Sequence, residues 1–311
     1  DRLLVDASML TIAYVMAAQA LSGIAKDLNK MSAKSSVKLL VGNSEGRLYR
    51  WVAWLTGSKN ALKGLGFFAG GASLSAFGFS ASIAGMALGL SVIAAATLVF
   101  LDREMGKASF KPKFSNLWSK SPPINMLSAA RLFLFGSRDV WFVVALPVFL
   151  QLELGWSSIS VGTFLAAWII GYGLIQALAP SITGISNDHP PDGRTALFWS
   201  LGLTAVPAML AFAVNMQAAA SAALVIGLIL FGLIFAMNSA VHSFLIVSYA
   251  DADGISLDVG FYYMANAAGR LLGTICSGWV YQAYGISACL AVSSLFLIVA
   301  TAISAQLPKR E

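Results

Sequence analysis

Apolar residues run in long blocks broken by short polar stretches. Nearly every block is about 20 residues or longer, the length a helix needs to cross roughly 30 Å of hydrocarbon. The pattern predicts an all-α fold, a polytopic transmembrane helix bundle, and leaves no room for short strands. Nine spanning helices are expected, roughly Met9 to Lys38, Leu48 to Phe77, Ala81 to Leu101, Met126 to Leu154, Ser157 to Ser181, Thr195 to Val214, Ala218 to Tyr249, Val259 to Tyr284 and Ser287 to Gln306. The longest gap, Asp102 to Asn125, is polar, holds Pro112, Pro122 and Pro123, and reads as an inter-domain loop. It divides the chain into a three-helix bundle (1–101), a cytoplasmic loop (102–125) and a six-helix bundle (126–311).

Composition agrees: 58% of residues are hydrophobic and 11% charged, where a soluble domain carries about a quarter charged residues. A soluble enzyme is excluded. The net charge of +6 raises nucleic acid as a partner, but position decides against it. Lys26, Lys30, Lys34, Lys38, Arg47 and Arg50 cluster at the first turnaround, Arg103, Lys107, Lys111, Lys113 and Lys120 fill the long loop, and Lys309 and Arg310 end the chain. The alternate connections, near Gly78, Gly155, Asn215 and Gly285, carry none. Basic connections mark the cytoplasmic side, so a multi-pass protein with its C-terminus in the cytoplasm and membrane lipid around it is expected. The turn Asp251 to Asp258 is the exception, holding only acids.

An internal repeat emerges when the second helix is laid on the eighth. Lys63, Gly66, Gly71 and Gly78 match Arg270, Gly273, Gly278 and Gly285 at one offset, 207 positions; Met31, Leu39 and Val41 match Met237, Leu245 and Val247 at 206. Spaced glycines alone suit close helix packing; the basic residue in register points to duplication. Three helices precede the second copy within its half and none the first, so a six-plus-six architecture, as in the major facilitator superfamily, predicts about 100 further residues before Asp1, three spans of about 20 residues plus loops.

Ionisable residues inside spans carry the chemistry. Counted from the cytoplasmic end at about 1.5 Å per residue, Lys63, Arg138 and Arg270 sit roughly 16 to 20 Å deep, with Lys59 and Arg131 shallower. Facing lipid, each would cost roughly 2.5 to 3.5 kcal/mol, so they are expected to face the interior or a watery cavity. Asp139 is the one mid-membrane carboxylate; about 100° round the helix from Arg138, it is expected to pair elsewhere and is a candidate for coupling or gating. Inter-helix salt bridges are one reading of these charges. One Asp cannot neutralise four cations, however, and the surplus suits an anion with more than one negative charge, which arginine clasps bidentately.

Tyr262, Asn266 and Arg270 recur every four positions, as do Trp168, Tyr172 and Gln176, and Asn238 and His242 repeat the spacing. Tyr262, Asn266 and Asn238 are expected at the cavity. The Trp168 stripe suits plain packing equally well; His242 is either a proton relay or a histidine satisfied by a neighbouring helix. The lysine stripe 26, 30, 34, 38 either snorkels to lipid headgroups or forms an electropositive funnel.

No catalytic or cofactor motif is present: no Walker A loop, no zinc-binding His-Glu-His pattern, no nucleophile elbow. Cys276 and Cys289 have no metal-ligand spacing and read as small buried hydrophobes. Neither an enzyme, a cofactor nor a metal is expected.

Longer strings carry a family likeness. Tyr14 to Leu40 (YVMAAQALSGIAKDLNKMSAKSSVKLL), Leu55 to Phe68 (LTGSKNALKGLGFF), Arg131 to Phe149 (RLFLFGSRDVWFVVALPVF) and the GYGLIQALAP ending at Pro180 closely resemble the ArsJ-type organoarsenical efflux permeases of the major facilitator superfamily, over essentially the whole chain. The resemblance implies a twelve-helix exporter of the bacterial inner membrane. Its functional partner would be a glyceraldehyde-3-phosphate dehydrogenase that forms 1-arseno-3-phosphoglycerate, the anion expelled to give arsenate resistance. The chain departs from the family pattern in lacking the early helices and the loop that bears the superfamily's best-known motif; Asn187 to Arg194 (NDHPPDGR) matches its counterpart loosely. The site residues named above come from the cavity argument and not from the resemblance. The implied cargo, a phosphate plus an arsenate ester, fits a cation-rich cavity; trivalent arsenic would demand clustered thiolates.

Overall fold

The computed structural model describes residues 2–41, 44–100, 121–183, 190–215, 220–250 and 255–309. Among them the chain is helical and no strand occurs. The helices are α1 (Arg2–Val41), α2 (Glu45–Phe100), α3 (Pro122–Phe142), α4 (Ala145–Leu152), α5 (Ser158–Ile182), α6 (Gly193–Asn215), α7 (Ala220–Tyr249) and α8 (Ile255–Ser304). Six stretches are long and apolar enough to cross a membrane: α2, α3 with α4, α5, α6, α7 from Ala222, and α8. The protein is a polytopic helical membrane protein. α1 is not among the six.

Two of these helices turn back on themselves, each at a glycine. Gly78 (φ 74, ψ 175) and Gly285 (φ 75, ψ −174) adopt a backbone conformation that only glycine holds without strain. Ser73 and Ser82 bond through their hydroxyls at 2.9 Å, although nine residues of straight helix would part them by about 14 Å. Across Gly285, the Cys289 thiol reaches the Ser277 carbonyl at 3.9 Å, a pair that straight helix would hold about 18 Å apart. α2 and α8 are therefore hairpins. They break where the sequence places connections.

The interruption between α3 and α4, at Val143 and Val144, has a different cause. Pro147 has no N–H to give the Val143 carbonyl four residues back, and its ring collides with that carbonyl. At the other end of α3 the helix begins at Pro122, so the expected loop to Asn125 ends sooner. Prolines 122 and 123 occupy the first turn, where a missing N–H costs nothing. Residues 101–120 of that loop, and 251–254 of the acidic turn, lie outside the described residues.

Two helix pairs approach through small residues. On α8, a Cβ at Gly269 would overlap the Leu132 carbonyl of α3, and one at Gly273 would come to 2.5 Å from the Gly136 carbonyl. Between α2 and α5, a Cβ at Gly57 would lie 2.5 Å from the Gly173 carbonyl, and one at Gly173 2.7 Å from that of Gly57. Backbones this close hold side chains on the flanking positions in fixed register. Apolar packing fills both ends of the bundle. One cluster gathers Tyr49, Val52, Ile124, Met237, Phe244 and Tyr262; the other gathers Leu134, Trp141, Trp168, Phe231, Phe235 and Leu297.

Candidate functional site

The α3–α8 crossing sets Arg270 opposite Asp139. Asp139 is wholly buried, and both its carboxylate oxygens are taken: Arg138 gives Nε at 2.7 Å and a terminal nitrogen at 2.6 Å to Oδ1, and Arg270 gives Nε at 2.8 Å to Oδ2. The expectation that Asp139 would find its partner away from Arg138 is corrected in half. It pairs with a neighbouring helix through Arg270, and also with Arg138, whose long side chain folds around the helix to reach it. One carboxylate thus serves two guanidiniums, each with N–H donors left over.

Arg131, two turns earlier on α3, has no acid beside it among the described residues. Its Nε donates to Asn266 Oδ1 at 3.1 Å, one terminal nitrogen donates to Ser239 Oγ at 3.1 Å, and the guanidinium lies 3.8 Å from the centroid of the Phe135 ring. Neutral groups orient the charge without cancelling it. A polar network spreads from Ser239: Tyr172 and Gln176 each donate to its hydroxyl at 3.1 Å, and Asn60 donates to Gln176 at 2.6 Å. It joins α2, α3, α5, α7 and α8. The Gly57–Gly173 crossing is what lets Asn60 reach Gln176.

These residues wall two adjoining cavities. The first, about 340 Å³, is lined by Lys26, Lys30, Lys34, Lys59, Lys63, Arg131, Arg138 and Arg270, with Asn29, Asn60, Tyr172, Tyr263 and Asn266, and among the described residues by no carboxylate. The second, about 380 Å³, is more apolar; its wall includes Phe67, Phe142, Pro147, Trp168 and Asp139. Asn60, Lys63, Arg138, Tyr172 and Arg270 belong to both and form the septum between them. A larger hollow, about 470 Å³, lies between α1 and α2, but Arg47 is the one charge among its lining residues Val37, Leu40, Val41, Trp51, Trp54, Leu55 and Ser58. Chemistry, not size, selects the first two.

Of the residues singled out from the sequence, Lys59, Lys63, Arg131, Arg138, Asn266 and Arg270 meet at the first cavity, and Asp139 at the second. Lys63 feels the charges of Arg138, Arg270, Lys26 and Asp139 and lies over the Phe67 ring at 5.7 Å. Three others are placed elsewhere. Tyr262 is wholly buried, packed under Arg131 at 5.1 Å from ring centroid to guanidinium; its neighbour Tyr263 reaches the wall instead. Asn238 is buried and donates to Ser200 at 2.8 Å. His242 is buried away from both linings, and neither imidazole nitrogen has a hydrogen-bond partner. Helical spacing of four names a face but not the neighbour it meets.

The lysine stripe of α1 divides. Lys38 donates to the Val247 carbonyl at 2.7 Å and to that of Ala250, closing off the last carbonyls of α7. Lys30 pairs with Asp27 at 2.7 Å. Lys34 is only 2% exposed, lines the first cavity, lies over the rings of Tyr263 and Tyr262 at 5.2 and 5.6 Å, and its ammonium has no hydrogen-bond partner. Sequence reasoning read the stripe as a unit and missed Lys34. No single-helix pattern marks it, because what sets Lys34 apart from its stripe is Tyr263 on another helix.

In comparisons with known proteins, no family model matches the chain, and no curated protein matches it.

Proposed function

We propose that the protein is a secondary transporter carrying a small, multiply charged anion across the membrane by alternating access. One observation supports this above others: eight lysines and arginines wall a single cavity whose lining, among the described residues, holds no acid, and one carboxylate, Asp139, serves two of them. Cations gathered at such depth are costly unless they meet an anion. The Arg131 guanidinium, held by Asn266, Ser239 and the Phe135 ring, is preorganised for oxyanions.

In this reading the spans number nine: α1, both arms of α2, α3 continued by α4, α5, α6, α7 and both arms of α8. They represent nine of the twelve of a major facilitator fold in the inner membrane. The basic connections and the C-terminus face the cytoplasm, so the cation-rich cavity opens inward and the more apolar one outward. Bundles rocking about the septum would expose each cavity in turn.

The resemblance to ArsJ-type permeases narrows the cargo to 1-arseno-3-phosphoglycerate, exported to confer arsenate resistance. Chemistry favours pentavalent arsenic, since neither Cys276 nor Cys289 lines the two cavities and trivalent arsenic seeks thiolates. The test is arsenate tolerance in cells expressing the protein with a glyceraldehyde-3-phosphate dehydrogenase, with arsenic measured in the medium. Arg138→Gln and Arg270→Gln should each abolish tolerance and efflux at normal membrane abundance. Full tolerance in either variant would remove that residue from the site. A second reading, export of another phosphorylated or carboxylated anion, is favoured by the generic oxyanion donors of the wall. Competition of export by 3-phosphoglycerate separates the two.

A further inference from the structure

The cations form two groups that differ in whether a carboxylate already holds them. At the inner end, among the described residues, Arg131 has only neutral hydrogen-bond partners and the Lys34 ammonium has none. At the septum, Arg138 and Arg270 share Asp139, and their side chains remain 13% and 39% exposed. The groups are close. The guanidinium carbons of Arg131 and Arg138 lie 3.8 and 5.0 Å from the centroid of the same ring, Phe135, and so no more than 8.8 Å from each other.

We infer that the cavity selects anions with two oxyanion heads on a short skeleton: Lys34 and Arg131 hold the first head, and the second competes with Asp139 for Arg138 and Arg270. This rests on the anion-transport reading and deepens it. A one-headed anion is fully satisfied at the inner pair and leaves the Asp139 bridge intact. A two-headed anion offers the septum arginines a replacement carboxylate or phosphate, loosening the link between α3 and α8 that separates the cavities. Asp139 acts as a built-in stand-in for the second head and sets the preference for two-headed anions, while Lys34 anchors the head that both kinds of anion carry.

The experiment is calorimetric titration of the purified chain in detergent with two ligands that differ by one carboxylate, glycerol 3-phosphate and 3-phosphoglycerate, at fixed ionic strength. The native protein should bind 3-phosphoglycerate at least about tenfold more tightly, about 1.4 kcal/mol. Asp139→Asn should tighten 3-phosphoglycerate several-fold further and leave the first equivalent of glycerol 3-phosphate within about twofold. An equal gain for both ligands would reflect added positive charge alone and overturn the inference. Lys34→Gln, which removes a cation without a hydrogen-bonded partner and therefore should fold, is expected to weaken both ligands at least about fivefold. Unchanged affinity in that variant overturns the inner subsite. Equal binding of the two ligands by the native protein would end the two-headed proposal while leaving anion transport standing; binding of neither would end both.

Discussion

The α2 and α8 hairpins carry the same sequence pattern and live in different surroundings. Each breaks at a glycine of nearly identical backbone geometry, Gly78 and Gly285, and each places a cation fifteen residues earlier, Lys63 and Arg270. Yet Arg270 is clamped to Asp139, whereas Lys63 is exposed and meets a ring, not an acid. Gly273 touches the α3 backbone; its counterpart Gly66 has open space around it. The second arm of α2 leaves Phe79, Ile83, Leu88, Val92 and Leu98 exposed, while Leu290, Leu297 and Ala300 of α8 are buried. A duplicated pattern fixes where a helix turns and where its cation stands. The neighbouring helix decides whether that cation locks a joint or remains available to a solute.

Substitutions at paired positions sharpen the contrast. The largest effect is expected at the glycines: Gly273→Leu should lower stability by about 3 kcal/mol or more, since its side chain meets the Gly136 backbone, which cannot yield, and should abolish a monodisperse peak in detergent. Gly66→Leu should leave yield and Tm unchanged. Next come the cations. Arg270→Gln strips one partner from a buried carboxylate and should cost about 2 kcal/mol, read as a fall in Tm; Lys63→Gln, with no acid partner, should leave Tm unaltered while weakening anion binding. Comparable Tm losses in both variants would break the distinction. The smallest difference between paired positions is expected at the turns, where Gly78→Ala and Gly285→Ala should each cost about 1–3 kcal/mol, by similar amounts, because both force a side chain into backbone that glycine alone tolerates. Unequal losses would mean that the two hairpins are alike only in outline.

Much of the helical framework was legible because bilayer thickness sets block length, and polar breaks then mark the turns. Gly78 and Gly285 were readable as connections for that reason. That Arg131, Arg138 and Arg270 stand within helices followed from the same blocks. What could not be read was lateral: which helix faces which. Tyr262 and Tyr263 are adjacent in sequence, and only the packing of α8 against α1 and α3 brings Tyr263 to the wall. Lys34 looks like its stripe-mates until α1 is seen to bury it. The Arg138–Asp139 bond escaped the helical wheel because a wheel plots Cβ directions, and a guanidinium four bonds farther out can return to its own neighbour.

The central claim is an anion held among Lys34, Arg131, Arg138 and Arg270. Arsenate diffused into crystals of the purified chain and located by anomalous scattering of arsenic tests it directly. The account predicts arsenate in the cation-lined cavity, its oxygens within hydrogen-bonding reach of Arg131 and Lys34. Arsenic found only outside the two cavities at saturating arsenate would contradict it.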